Sequence, residues 1–137
     1  MKYLLDINVL LAAIWANHPQ YAAAEAWLNG KSVVVCPILE LGFLRISTNK
    51  KAIAAPMKDA RKALERFLSE TKATRIADDL PALESHPVNS DQVTDLYLAA
   101  LARRHGFKLA TLDAGIHHEV VELIDTGEDD SGEGSRR

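Results

Sequence analysis

The stretch DQVTDLYLAALARRHGFKLATLD, residues 91–113, decides the fold. Leu98, Ala99 and Ala102 fall three, four and seven places after Asp95. That stripe predicts a helix over 91–105 with one face turned toward a core. Gly106 ends it. Phe107 to Ala110 then form a short apolar run with no polar alternation, as in a strand buried on both faces. Asp113 follows that strand-like segment. A helix feeding directly into a buried strand is half of a βαβ unit.

The pattern repeats outward from there. Tyr3, Leu4 and Leu5 read as a strand closed by Asp6, and residues 7–16 as an apolar helix broken at His18-Pro19. A second helix is expected over 20–29, stopping at Asn29-Gly30, and a β-branched strand over 32–35. Pro37 suits the first turn of a third helix, 37–48. Residues 56–70 form a fourth, 74–77 a short strand, 78–90 a loop with two prolines, and 120–124 a last strand. Strands alternating with helices predict a single-domain parallel-sheet α/β sandwich over residues 1–125. In such sheets ligands bind beyond the carboxyl ends of the strands.

Composition agrees. The chain has 137 residues, 47% hydrophobic and 26% charged, and a mean hydropathy of -0.09. That is one globular domain, and no apolar run approaches the roughly 20 residues of a membrane helix. Asp6 and Asn8 interrupt the apolar N-terminal run, so a secretory signal is not expected. One cysteine, Cys36, excludes an intrachain disulfide and a multi-cysteine zinc site, and fits a reducing cytoplasm. Residues 126–137, TGEDDSGEGSRR, hold no large apolar side chain and are expected to form a disordered acidic tail.

Four carboxylates stand where chemistry is expected. Asp6 and Asp113 follow strands, and each has an ordinary reading as a helix or turn cap. Glu40 shares its helix face with Phe43 and Leu44, where a carboxylate is costly unless paired or metal-bound. Asp95 lies on the apolar stripe of its helix, while Asp91, one turn earlier, reads better as a solvated cap. Taken together, the four map to one rim of a parallel sheet. They would repel one another and raise each other's pKa. A divalent cation relieves that repulsion, and oxygen-only ligands favour Mg²⁺ or Mn²⁺ over zinc. Such a site suits hydrolysis of phosphodiesters.

The net charge of -3 argues only superficially against a nucleic-acid substrate. The tail holds four acids and two arginines; without it and the four rim acids, 14 basic residues face 11 acidic ones. Much of that excess lies between 45 and 66, in Arg45, Lys50, Lys51, Lys58, Arg61, Lys62 and Arg66. The plain alternative is a solvated helix face on which Asp59 and Glu65 pair locally. Phosphate-backbone contact is the other. Cys36 is read as inert and buried, and the histidines, including His117-His118, as surface or turn residues. Trp15, Tyr21 and Trp27 are expected in the core or at an interface.

LLDINVLLA (4–12), ILELGFLRI (38–46) and TDLYLAALARRHGFKLATLD (94–113), in that order and spacing, resemble the PIN-domain family. Within it the chain is similar to the VapC-type ribonuclease toxins. The resemblance implies that Asp6, Glu40, Asp95 and Asp113 bind Mg²⁺ or Mn²⁺ and carry out endoribonucleolytic cleavage. Asn8 and Thr111 would be hydrogen-bond partners that orient those ligands. It also implies an RNA substrate, a homodimer and a cognate antitoxin that occludes the site. Two other readings are a nuclease-inactive module of the same fold that binds RNA or protein, and a phosphoryl-transfer domain. The second fits poorly: D-I-N (6–8) replaces the D-x-D of the phosphatase type, and no lysine follows a late strand in the receiver manner.

Overall fold

The computed structural model describes residues 1–127. The tail expected over 126–137 therefore lies almost wholly outside the described residues. Five short strands form one parallel sheet in the order β3-β2-β1-β4-β5. These are β1 (Lys2–Leu5), β2 (Ser32–Val35), β3 (Thr74–Arg75), β4 (Lys108–Thr111) and β5 (Val121–Leu123). β1 is central, with Leu4 opposite Val34 on one side and Leu109 on the other. Leu4, Leu5, Val34, Val35, Leu109 and Ala110 are all fully buried. Strands covered on both faces need no polar alternation, which explains the unbroken apolar runs.

Helices α1 (Ile7–Ile14), α2 (Tyr21–Leu28), α3 (Pro37–Thr48), α4 (Met57–Thr71) and α5 (Val93–Arg104) flank the sheet. Fully buried Leu98, Ala99, Leu101 and Ala102 confirm the inward stripe of α5. Gly106, at φ +76°, lets the chain turn sharply from α5 into β4, and Phe107 N–H donates back to Ala102 O at 2.8 Å. A left-handed backbone there is cheap only for glycine. The chain first adds β2 and β3 on one side of β1, then β4 and β5 on the other. The direction of winding reverses between β1 and β4, and there an open α/β sheet leaves a crevice at its carboxyl edge.

Boundaries differ where tertiary contacts override local pattern. α1 stops at Ile14, because Trp15 turns extended (φ -90°, ψ 110°) and its N–H caps Leu11 O. The Trp15 ring stacks on Phe43 with centroids 5.9 Å apart. Its Nε1–H donates to Ser47 Oγ at 2.8 Å, and Ser47 is fully buried. Ser47→Ala strands that indole donor, so thermal unfolding should show a loss of about 1–3 kcal/mol. β3 pairs over two residues only, although Ile76 N–H still donates to Val35 O at 2.9 Å. Ahead of α5, residues Ser90–Gln92 tighten into a 3-10 turn capped by Asn89, whose side chain accepts from Asp91 N–H.

Candidate metal centre

Three of the four rim acids, Asp6, Asp95 and Asp113, lie around the crevice between β1 and β4, near enough to feel one another's charge. Asp6 follows β1 directly and caps α1, its Oδ1 accepting from Val9 N–H at 2.9 Å. Its Oδ2 accepts from the hydroxyl of Thr111, at the end of β4. Thr111 Oγ1 in turn accepts from Asp113 N–H at 3.0 Å. Asp113 Oδ1 accepts from Gly115 N–H at 2.8 Å. One hydroxyl thus ties the acid after β1 to the loop that carries the acid after β4. The capping reading of Asp6 is correct, but a cap does not require burial, and Asp6 is only 2% exposed.

That burial sets the electrostatics. Removal from water pushes the Asp6 carboxyl up to about 6; the hydrogen bonds from Thr111 and Val9 pull it down, and the charges of Asp95 and Asp113 push it further up. Asp95, on the first turn of α5, is raised by burial and then by Asp113. Asp95 and Asp113 line one cavity of about 270 Å³, together with Asp91 and His117. The sequence placed Asp91 as a solvated acid, and it is exposed.

Glu40 has a different partner. Both of its oxygens are taken by Arg75: Nε donates to Oε2 at 3.0 Å and Nη2 to Oε1 at 2.8 Å. Its costly position on the apolar face is thus relieved by an ion pair. Arg75 was not singled out in the sequence, although its place on a strand ending at the same rim was the available signal. Asn8, on the first turn of α1, is exposed and takes no part in the Asp6–Thr111–Asp113 chain.

Arg45, Lys50, Lys51, Lys58, Arg61, Lys62 and Arg66 are all exposed. Among the described residues none of them forms an ion pair, so the local pairing with Asp59 and Glu65 does not occur. Arg61 lines a groove of about 350 Å³ together with Glu40 and Arg75. Burial pushes the Cys36 thiol up to about 12, which keeps it inert. His118 Nδ1 accepts from Val120 N–H at 3.3 Å, a turn contact.

The donor set is all oxygen and mutually repulsive, which is what a hard divalent cation relieves. Among the described residues no three Asp, Glu, His or Cys side chains are gathered closely enough to hold an ion between them. An all-oxygen donor set of this kind is of the type that suits a hard cation rather than zinc, which takes a closed set of nitrogen and sulfur ligands. Asp6, Asp95 and Asp113 are the residues that would hold such an ion once their side chains draw together around it, and Glu40 would join them only after leaving Arg75.

The sequence matches the PIN domain family over residues 3–121. It is 37% identical over 126 residues to ribonuclease VapC38 of Mycobacterium tuberculosis, covering 82% of this chain and 86% of that protein. With ribonuclease VapC29 of the same species it shares 36% identity over 132 residues, covering 92% and 98%. Among solved structures it is similar to VapBC2 from Rickettsia felis bound to a promoter DNA fragment, with a TM-score of 0.63 and 18% identity over 91% of this chain and 100% of that one. A toxin–antitoxin complex from Klebsiella pneumoniae gives a TM-score of 0.60 and 15% identity over 90% and 98%. These two show a shared fold. A family match across the sheet and the acidic crevice, with relatives this similar over most of their length, places the chain in the PIN-domain family, among its VapC-type members.

Proposed function

We propose that the chain is a Mg²⁺- or Mn²⁺-dependent endoribonuclease that hydrolyses RNA phosphodiester bonds, acting as the toxin of a type II toxin–antitoxin pair. The observation that carries this reading is the buried Asp6, tied through Thr111 to Asp113 and standing beside Asp95 at the topological switch point. Relatives named as ribonucleases support the same chemistry. A divalent cation, when bound by Asp6, Asp95 and Asp113, supplies Lewis-acid stabilisation of the charge that develops on the phosphodiester. The chain's own residues set its geometry. Val9 N–H and the Thr111 hydroxyl fix the Asp6 carboxylate in one orientation, as supporting hydrogen bonds do for metal ligands. Asp113 is held by Gly115 N–H, and Glu40 would complete the acidic set on leaving Arg75. Asn8, exposed two residues after Asp6, would orient a ligand only through a contact made on binding. Incubating a single-stranded RNA pool with the purified chain should give cleavage in Mg²⁺ or Mn²⁺ and none in EDTA.

The unpaired basic residues on α3, α4 and the loop between them supply the phosphate contacts. Substituting Lys58, Arg61 and Lys62 together by Gln should weaken RNA binding in EDTA. It should also make the dependence of log affinity on log salt shallower by about two, at roughly 0.7 per single-strand phosphate contact. Fluorescence anisotropy across a salt series reads both.

Exposed Leu41, Leu83, Val88 and Val93 offer apolar surface to a second copy and to an antitoxin. The toxin–antitoxin assemblies of the Rickettsia and Klebsiella proteins support that partner by analogy. No helix among the described residues is long and apolar enough to cross a membrane, and a reduced Cys36 fits work in the cytoplasm. One observation favours a second reading, a nuclease-inactive module that binds RNA or protein: Glu40 is held by Arg75, away from the other acids. Absence of cleavage in every metal, with RNA binding intact, would select it.

A further inference from the structure

The ion pair between Glu40 and Arg75 joins two parts of the rim that have separate tasks. Arg75 ends the edge strand β3, and its backbone is registered against Val35 of β2. Two residues beyond Val35 the chain enters α3, whose first turn carries Glu40. Both side chains are therefore anchored to the same point of the sheet, and their two-pronged contact is set by rigid elements. The partners differ in exposure: the Glu40 side chain is 16% exposed and that of Arg75 is 65% exposed. Arg75 faces the groove into which Arg61 also projects, and Lys58 and Lys62 lie on the same helix as Arg61.

We propose that Arg75 is a positioning residue that couples RNA binding to metal binding: it holds Glu40 away from Asp6, Asp95 and Asp113 until an RNA phosphate takes its place. The inference rests on the nuclease reading above, in which Glu40 serves the metal centre.

Charge balance explains why the exchange needs both ligands. Without a cation, a fourth carboxylate turned toward three others adds repulsion, so Glu40 stays on Arg75. Without an anion, the guanidinium loses the one acidic partner it has among the described residues if Glu40 leaves. When both ligands are present the pairs change together. Arg75 passes its two N–H donors to phosphate oxygens, a match as good as a carboxylate. Glu40 turns to the cation, and no charge is left unmatched. Such coupling is reciprocal: RNA tightens metal binding by the factor by which metal tightens RNA binding.

The test measures Mn²⁺ binding by loss of the free-ion electron paramagnetic resonance signal. The full chain is used, alone and with a single-stranded 2′-O-methyl RNA oligonucleotide. For the wild type, the oligonucleotide should tighten Mn²⁺ binding by about five-fold or more, the lower end of ordinary allosteric coupling. Arg75→Gln should bind Mn²⁺ several-fold more tightly than the wild type without oligonucleotide, and the oligonucleotide should then change its affinity little. Arg75→Lys keeps the charge without the fork and should fall between the two. Glu40→Gln should bind Mn²⁺ more weakly than the wild type and show no coupling. The coupling role is overturned if Arg75→Gln matches the wild type in both affinity and coupling, while Asp6→Asn still weakens Mn²⁺ binding. If the wild type binds no Mn²⁺ in either condition, the metal-centre reading fails, and the coupling fails with it. Since Arg75 is exposed on an edge strand, matched unfolding curves will show that the variants are folded.

Discussion

Asp6→Asn is expected to lose RNA cleavage by about a thousand-fold or more while unfolding, in the absence of divalent cation at neutral pH, at a higher temperature than the wild type. The activity loss follows from removing a charged group aimed at the reacting centre, where electrostatic contributions are largest. The gain in stability follows from burial. Asp6 is 2% exposed and its carboxyl is pushed from 3.8 to about 6. Keeping it ionised at pH 7 therefore costs about 3 kcal/mol, at 1.36 kcal/mol per unit of pKa. Asn removes the charge and keeps the shape. It is as good an N-cap as Asp, so Val9 N–H retains its acceptor. Its amide can donate to Thr111 Oγ1 once that hydroxyl turns. For a domain of this size 3 kcal/mol is roughly 10 °C in melting temperature. Cation should stabilise the wild type and leave the variant unmoved, which separates a lost ligand from a damaged fold.

The pH dependence of the metal-free chain follows from the same group. Below pH 3.8 the Asp6 carboxyl is protonated in both the folded and the unfolded chain, and the folded state bears no charge-burial penalty. Between 3.8 and about 6 the unfolded chain ionises while the folded one holds its proton. Stability therefore falls as pH rises through this window, by about 3 kcal/mol in all. Asp95, raised by burial and by Asp113, acts in the same direction. Asp79, lowered chiefly by its hydrogen bond with His105, acts oppositely, but it lies at the surface, where water screens it. Urea denaturation at pH 4 to 7.5 in EDTA should show the decline. Saturating Mg²⁺ should abolish it, because a bound cation returns the carboxyl to its ionised form.

How much of this was legible in the sequence depended on whether one residue or two carried the information. The sheet was legible because its central strands are buried on both faces: Leu4, Val34 and Leu109 sit in unbroken apolar runs that no surface strand shows. Asp95 was legible because a single carboxylate on the α5 stripe must face inward. The extent of α1 was not, because Trp15 leaves the helix to stack on Phe43 and donate to Ser47, residues about thirty positions away. Arg75 was missed for the same reason: its importance lies wholly in Glu40, 35 residues earlier in the chain. Thr111 was placed beside the acids by resemblance. Its hydrogen bonds to both Asp6 and Asp113 required the pairing of β1 with β4.

The most direct measurement is the single-turnover cleavage rate of one RNA substrate in Mg²⁺ by the wild type and by Asp6→Asn, Asp95→Asn and Asp113→Asn, each shown to be folded. A metal centre built on these three acids predicts measurable wild-type cleavage that EDTA abolishes, and a loss of about a hundred-fold or more in every variant. A folded Asp6→Asn that cuts RNA at the wild-type rate, or wild-type cleavage that persists in EDTA, would contradict it.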